Sequence, residues 1–208
     1  MLNKITLSIF IFFTVLGTFM GVGAGAATVY VDVSNVTGPW DGTFANPFIT
    51  IQDGINAADN GDRVLVAPGT YTGSLNKNLD FNGKAITVTS ENGAEFTIID
   101  CENDGRGFDF HSGETLSSVV DGFTIKNGYM RWGAGIYCSN SSPIIKNCEI
   151  TENTAEWLNG VGGGCYFSDS FSEIINCRIT FNSAIGTSPD SGNGWGGGIG
   201  IGLNSDIA

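Results

Sequence analysis

The chain has 208 residues and a formal net charge of −12, from nine Lys and Arg against 21 Asp and Glu, which argues against a nucleic-acid partner. Only 14% of the residues are charged and 31 are Gly, a composition that does not suit long solvated helices. Hydrophobic residues still make up 41%, with 14 Phe among them, which excludes a disordered chain and predicts a single domain with a buried core.

Residues 1–26 have the pattern of a secretory signal peptide. Lys4 precedes an apolar run over residues 5–19, and the segment closes with Ala24-Gly25-Ala26. An uncleaved membrane anchor is the alternative, but the run is short for a spanning helix. The sequence therefore predicts an exported protein, secreted or at the cell surface, whose mature part, residues 27–208, contains no transmembrane helix.

The first half of the mature chain contains one predicted helix. Ile51, Ile55 and Ala58 recur at helical spacing behind Thr50, whose side chain can cap the first turn. We expect this helix, within an N-terminal cap region of residues 27–75, to cover the first end of a stack of strands. Short strands are predicted to follow near residues 64–66, 79–81, 86–88, 97–99 and 108–110.

The region of predicted rungs, residues 76–208, repeats itself in its second half. Three segments align with apolar first, fourth and sixth positions, namely 120–125, 145–150 and 174–179, and a second block aligns as 135–138, 164–167 and 198–201. The step from the first glycine of this block to the next core cysteine is 13 residues, both from Gly135 to Cys148 and from Gly164 to Cys177. The connections that precede Gly135, Gly164 and Gly198 instead hold 6, 10 and 15 residues. A constant scaffold with variable insertions at one corner is typical of stacked repeats.

The repeats predict an all-β fold, a parallel β-helix. Apolar residues alternate with period two inside each block, and repeats of 25 and 29 residues are too short to hold a helix as well. Gly and Asn exchange at two aligned positions, which predicts tight left-handed bends at Gly122, Asn147 and Asn176 and at Gly128, Asn153 and Asn182. Stacking in register predicts two core columns: Phe123, Cys148, Cys177 and Ile125, Ile150, Ile179.

Five cysteines lie in the mature chain: Cys101, Cys138, Cys148, Cys165 and Cys177. An odd number cannot all pair internally, and the spacings match no zinc pattern. Stacking makes Cys148 and Cys177 neighbours at a distance that permits a disulfide. In-register neighbours seldom offer the required dihedral angle, so reduced thiols packed as small hydrophobes are favoured.

The C-terminal side of the predicted stack has no second lid. Ile199, Ile201 and Leu203 begin another rung and would leave an apolar edge bare. We therefore expect a β-helix that is open or truncated at this end, as in a fragment of a longer protein.

A resemblance to known proteins is carried by residues 48–58, 61–71, 83–88, 98–100 and 121–125 and by the Asn-Cys-x-Ile repeats. These stretches resemble secreted bacterial right-handed parallel β-helix proteins of the pectin-lyase-like superfamily. The resemblance covers Thr28 to Asp206 and implies right-handed winding, but the superfamily includes lyases, hydrolases, epimerases, tailspikes and adhesins. The Gly-Gly-Gly turns are more loosely similar to repeats of chlamydial polymorphic outer-membrane proteins.

The catalytic motifs of the enzyme members are missing or altered. The chain has no Asn-Thr-Asp, Asp-Asp or Asp-Pro-Arg-Thr-His sequence, His111 is followed by Ser112 instead of Gly, and the nearest match to Arg-Ile-Lys is Arg178-Ile179-Thr180. The polygalacturonase and epimerase sets therefore do not transfer to this chain. The lyase set, a catalytic Arg or Lys with calcium-binding Asp residues, stays open.

The variable corner carries the candidate ligand-binding residues, which are Tyr129, Arg131, Trp132, Glu156, Trp157, Asp190 and Trp195. Flat rings beside carboxylates and amides suit the stacking of sugars, with hydroxyl groups bonded at the ring margin. The alternative is that each Trp folds back over its own loop.

Two groups of charged residues can be interpreted either as a metal or catalytic site or as purely structural. Asp100, Glu102 and Asp104 offer oxygen ligands at alternate positions, a weak candidate calcium site, although a solvated acidic turn is favoured. Glu149 and Arg178 are expected to form an ion pair between rungs.

The outward column of the strands after the Gly-rich turns is predicted to contain Asp109, Tyr137, Tyr166 and Gly200, and so a single carboxylate. Glycoside hydrolysis requires two carboxylates that flank the bond to be cleaved. His111, without a visible partner, is assigned a structural role.

The leading functional hypothesis is a non-catalytic exported module that binds polysaccharide or another extracellular partner along its loop edge. One alternative is a polysaccharide lyase or glycoside hydrolase acting on acidic polysaccharide, which rests mainly on the resemblance in fold. The other is a structural stalk or adhesin of the cell surface. No cofactor is implied except calcium at the acidic turn.

Overall fold

The computed structural model describes residues 25–157, 159–186, 194–202 and 204–207. The predicted signal peptide lies almost entirely outside the described residues. In chain order the elements are β1 (Thr28–Val31), α1 (Ile51–Ala57), β2 (Arg63–Val66), β3 (Gly69–Tyr71), β4 (Thr87–Ser90), β5 (Thr97–Asp100), β6 (Phe108–Phe110), β7 (Val119–Asp121), β8 (Thr124–Lys126), β9 (Tyr129–Met130), β10 (Ile136–Ser139), β11 (Ile144–Lys146), β12 (Glu149–Thr151), β13 (Thr154–Trp157), β14 (Cys165–Ser168), β15 (Phe171–Ile175), β16 (Arg178–Thr180), β17 (Ser183–Gly186), β18 (Ile199–Ile201) and β19 (Asp206–Ile207).

The strands form four sheets in which all neighbouring strands are parallel. Sheet A has the order β1-β2-β4-β7-β11-β15-β19, sheet B β16-β12-β8-β5-β3, sheet C β17-β13-β9 and sheet D β18-β14-β10-β6. One turn of the chain runs through β10 in sheet D, β11 in sheet A, β12 in sheet B and β13 in sheet C before β14 returns to sheet D. The predicted all-β fold, a parallel β-helix, is confirmed, and its right-handed winding stays a prediction.

The predicted core columns are present. Ile125, Ile150 and Ile179 pair in register across sheet B. Phe123 and Cys148 are buried in the same core, and Cys177 packs against it. All five cysteines are free thiols. A cluster of large aromatic side chains fills the first turns, where Phe81, Phe108, Phe110 and Phe123 are fully buried.

Helix α1 forms as predicted. The Thr50 side chain accepts a hydrogen bond from the Asp53 N–H at its first turn, and Ile51 and Ile55 are buried in the core. The helix packs against β1 and β2. Its role as a cap stays a prediction. Within the described part of the chain, no helix is long and apolar enough to cross a membrane.

The bend between sheets A and B is left-handed, as predicted. Gly122, Asn147 and Asn176 have φ of 81°, 53° and 51°. The side chains of Asn176, Asn147 and Asp121 form a surface ladder, because Asn176 Nδ2 donates to Asn147 Oδ1 at 2.8 Å and Asn147 Nδ2 donates to Asp121 Oδ1 at 2.7 Å.

The prediction for the bend between sheets B and C was wrong by one residue. Positive φ falls at Asn127, Glu152 and Phe181, not at the residues that follow them. The next position instead holds Asn153, which is fully buried and hydrogen-bonds the backbone of its own and neighbouring rungs. Gly and Asn therefore exchange at this position because it lies inside the coil, and not because its φ is positive.

Two other strand predictions need correction. The variable corner was expected to be loop, but its first residues form the three strands of sheet C. Residues 79–81 form only an isolated bridge between Leu79 and Phe108 in place of a strand. That bridge still continues the register of sheet D by one more rung.

Candidate functional site

Four of the predicted ligand-binding residues line one cleft at the corner. Its volume is about 360 Å³, and its walls are Tyr129, Met130, Arg131, Glu156 and Trp157. β9 and β13 pair side by side in sheet C, with Thr154 opposite Tyr129, which brings the residues of two successive rungs together.

The cleft combines one exposed ring with a fixed polar pair. Trp157 is 59% exposed, because it lies at the outer end of β13 and beyond the core. The Tyr129 hydroxyl donates to Glu156 Oε2 at 2.9 Å, and this hydrogen bond, together with some burial, raises the pKa of Tyr129. A ring face beside a carboxylate can take up the apolar face of a sugar and accept from its hydroxyl groups.

Trp132 lies outside this cleft. Its ring stacks on Tyr166, with the ring centroids 6.2 Å apart and the planes at 24°, and the Arg131 guanidinium carbon lies 4.3 Å from its ring centroid. Tyr166 in turn stacks on Tyr137 at 5.9 Å. Trp132 thus packs against the outward face of sheet D, on a residue of the next rung.

Trp195 shares a column with Trp132 but does not touch the cleft. Both residues form parallel bridges with Val161, which lies between them. Trp195 is 66% exposed. Asp190, the remaining candidate, lies outside the described residues. The corner therefore divides into a cleft around Trp157 and a separate aromatic column.

The outward face of sheet D holds a polar cluster that the sequence reasoning missed. The bridge between Leu79 and Phe108 places Asp80 next to Asp109, so the predicted column contains two carboxylates instead of one. His111 lies between them, with Nε2 3.6 Å from Asp80 Oδ2 and Nδ1 3.4 Å from Asp109 Oδ1. The sequence showed no partner for His111, whereas the structure places two carboxylates beside it.

Arg106 is the buried member of this cluster. Its side chain is 8% exposed, its Nη1 lies 3.8 Å from Asp109 Oδ1, and its guanidinium carbon lies 4.5 Å from the Tyr137 ring centroid. Within the described residues, its Nε and Nη1 have no hydrogen-bond partner. Burial lowers the pKa of Arg106, and the attraction of Asp109 opposes that shift. We call Asp80, Arg106, Asp109 and His111 the sheet D cluster.

Lysine ammonium groups face the candidate calcium ligands. Lys77 Nζ lies 3.3 Å from Glu102 Oε2 and 3.1 Å from Asp104 Oδ2. Lys126 Nζ lies 3.6 Å from Asp100 Oδ2, and Asn127 donates to the other oxygen of that carboxylate at 2.9 Å. No group of three or more potential metal ligands is found among the described residues. Calcium binding stays a prediction, and the ion would compete with both ammonium groups.

The ion pair predicted between rungs is confirmed. Glu149 and Arg178 lie opposite each other in β12 and β16, and their side chains are in direct contact. Arg178 is largely exposed, so this pair belongs to the solvated outer face of sheet B.

The missed residues had a weak signal in the sequence. Leu79-Asp80-Phe81 and Phe108-Asp109-Phe110 share one alternating pattern, and aligning them places the two Asp residues side by side. His111 and Arg106 gave no such signal for their contacts with Asp80 and Tyr137, which lie on neighbouring rungs.

No protein-family model matches the chain, and no curated protein or solved structure matches it significantly. Strand order and register therefore define its class, that of a parallel β-solenoid, without assigning it to a family.

Proposed function

We propose that this chain is an exported module of the pectin-lyase-like kind that binds polysaccharide in the corner cleft. The observation that carries the proposal is the exposed Trp157 beside the Tyr129–Glu156 hydrogen bond in one cleft. A sugar ring that stacks on Trp157 removes apolar surface from water, and Glu156 and Arg131 then lie within the same walls to bond its hydroxyl groups.

The charge of the chain favours neutral glycans in this cleft. Arg131 and Glu156 bring one charge of each sign to its walls. The whole chain carries a net charge of −12, which repels a polyanion over a Debye length of about 10 Å. Neutral polysaccharides are therefore the first ligands to test.

Replacing Trp157 with alanine is expected to weaken binding of a neutral polysaccharide about tenfold, which corresponds to about 1.4 kcal/mol of lost stacking and burial. Affinity gel electrophoresis of the mature chain over a panel of neutral polysaccharides measures the change. Trp40→Ala is the matched control, because Trp40 is 48% exposed but lies in the N-terminal region away from the cleft. Equal retardation of Trp157→Ala and the unsubstituted chain would contradict the proposal.

The sheet D cluster supports a second candidate function, cleavage of an acidic polysaccharide. Asp80 and Asp109 supply the paired carboxylates that glycoside hydrolysis uses, and His111 contacts both. Arg106 provides a positive charge beside Asp109 that would favour an acidic sugar.

If this second function is correct, the mature chain releases reducing ends from a polyuronate. Asp109→Asn then lowers the rate at least about 100-fold, the usual range for loss of an acid–base group. Trp157→Ala leaves that rate within about twofold, because it belongs to the other site. Inactivity of the unsubstituted chain on a broad panel of polyuronates would count against this function. A stalk or adhesin, the third interpretation, predicts neither glycan binding nor cleavage.

A further inference from the structure

Two thiols stand next to each other on successive rungs. Cys148 and Cys177 directly precede Glu149 and Arg178, which pair in register between β12 and β16. Neighbouring strands lie about 4.8 Å apart, which falls within the range of Cα separations that a disulfide spans. Both residues belong to the bend between sheets A and B, so backbone hydrogen bonds of the coil hold them at this spacing.

The two thiols differ in their surroundings. Cys148 is 3% exposed, and its Sγ donates to the Lys146 carbonyl at 3.1 Å. Cys177 is half-buried, at the start of the edge strand of sheet B within the described residues. The Cys148 N–H points to Cys177 Sγ at 3.4 Å. A backbone donor aimed at sulfur stabilises the thiolate.

The electrostatics of the pair follow from this arrangement. When the Cys148 S–H turns from the Lys146 carbonyl to the Cys177 sulfur, it and the Cys148 N–H together lower the pKa of Cys177 and outweigh its partial burial. Burial raises the pKa of Cys148. Cys177 is therefore the nucleophile of the pair, and Cys148 is the resolving thiol.

The other three thiols are expected to react slowly with disulfides. Cys101, Cys138 and Cys165 are fully buried. Burial raises the pKa of each of them, that of Cys101 to about 12. Buried thiols in apolar surroundings behave as small hydrophobes. They serve as internal references for the reactivity of Cys177.

We propose that Cys177 and Cys148 form a thiol–disulfide exchange site that takes small-molecule disulfides. The Cys177 thiolate attacks one sulfur of the disulfide, forms a mixed disulfide and releases one small thiolate, which takes up a proton from solvent. Cys148 then gives its proton to solvent and attacks the Cys177 sulfur, and the second small thiolate leaves and is protonated. Two protein thiols are oxidised to one disulfide while one small disulfide is reduced to two thiols.

The resulting bridge ties two successive rungs of the coil together. In-register neighbours fit the disulfide dihedral angle poorly, so the bridge is strained and readily reduced. The exchange is independent of glycan binding, because neither cysteine lines the corner cleft.

The test uses the reduced mature chain with oxidised glutathione as the probe, under native conditions at neutral pH. Samples are quenched with an alkylating agent over time, digested and mapped by mass spectrometry. We expect Cys177 to react at least about 100-fold faster than Cys101, Cys138 and Cys165, and a Cys148–Cys177 bridge to accumulate. Excess dithiothreitol should return both thiols.

Substitutions separate the two steps. Cys148→Ser should trap glutathione on Cys177, and Cys177→Ser should abolish both products. Cys101→Ser is the matched control and should leave exchange unchanged. The mapping of the unsubstituted chain decides the matter even where a variant fails to fold. Equal reaction of all five thiols, or an unmodified Cys177, would overturn the proposal, and so would a stable mixed disulfide that Cys148 never resolves.

Discussion

Replacing Asn153 with alanine is expected to lower the free energy of unfolding by about 3 kcal/mol or more, and the midpoint of thermal unfolding by roughly 10 °C. Asn153 is fully buried. Its Oδ1 accepts from the Gly128 N–H at 2.8 Å, and its Nδ2 donates to the Ile125 carbonyl at 3.0 Å and the Thr151 carbonyl at 2.9 Å. Alanine removes all three of these buried hydrogen bonds, at about 1–3 kcal/mol for each group that stays unpaired.

The matched control is a surface asparagine of the same coil. Asn147 also hydrogen-bonds between rungs, but it is exposed and has φ of 53°, which glycine adopts freely. Asn147→Gly should therefore cost less than about 1 kcal/mol. Urea unfolding of both variants, followed by circular dichroism, measures the difference. If the two substitutions cost the same, Asn153 does not hold the rungs together.

The second large effect is expected for Gly128→Ala, which should destabilise the coil by at least about 3 kcal/mol or prevent folding. A Cβ atom at Gly128 would lie 1.8 Å from the Ala134 carbonyl oxygen and 2.8 Å from Asn153 Oδ1. The first of these atoms belongs to the backbone, so no change of rotamer relieves the overlap. The rungs themselves would have to move.

Gly198→Ala is the control for this substitution. The nearest atom to its Cβ is Ile179 Cγ2 at 3.7 Å, an ordinary contact. The change should stay within about 0.5 kcal/mol, because the space exists and alanine also restricts the unfolded chain. Chemical denaturation of both variants distinguishes the outcomes, and a tolerated Gly128→Ala would show that the bend at sheets B and C can open.

The position of Gly128 explains why the sequence signal at this bend was ambiguous. Gly and Asn exchange at positions of positive φ. They also exchange at buried positions where the side chain must be either absent or hydrogen-bonded at all of its polar atoms. At Asn147 the first reason applies, and at Asn153 the second. Composition at aligned positions cannot separate these reasons, since both residue types satisfy both demands.

The candidate cleft was only partly predictable. The recurrence of aromatic residues at the variable corner correctly marked Tyr129, Glu156 and Trp157 as neighbours. It did not separate Trp132, which stacks on Tyr166 of the next rung. Loop length varies at this corner, so residues with the same sequence context end at different places around the coil.

The sequence by itself determined the architecture, because a period of two inside each strand and a fixed step between strands leave few ways to bury the same apolar positions. Its thiol column and its ion pair between rungs both follow from that repeat. Apart from that ion pair, only the tertiary structure decided which polar groups meet. Asp80 reaches His111 across rungs, and the Cys148 N–H reaches Cys177, through contacts that depend on register and on side-chain direction. Those contacts join residues about thirty positions apart, where no local pattern in the chain records them.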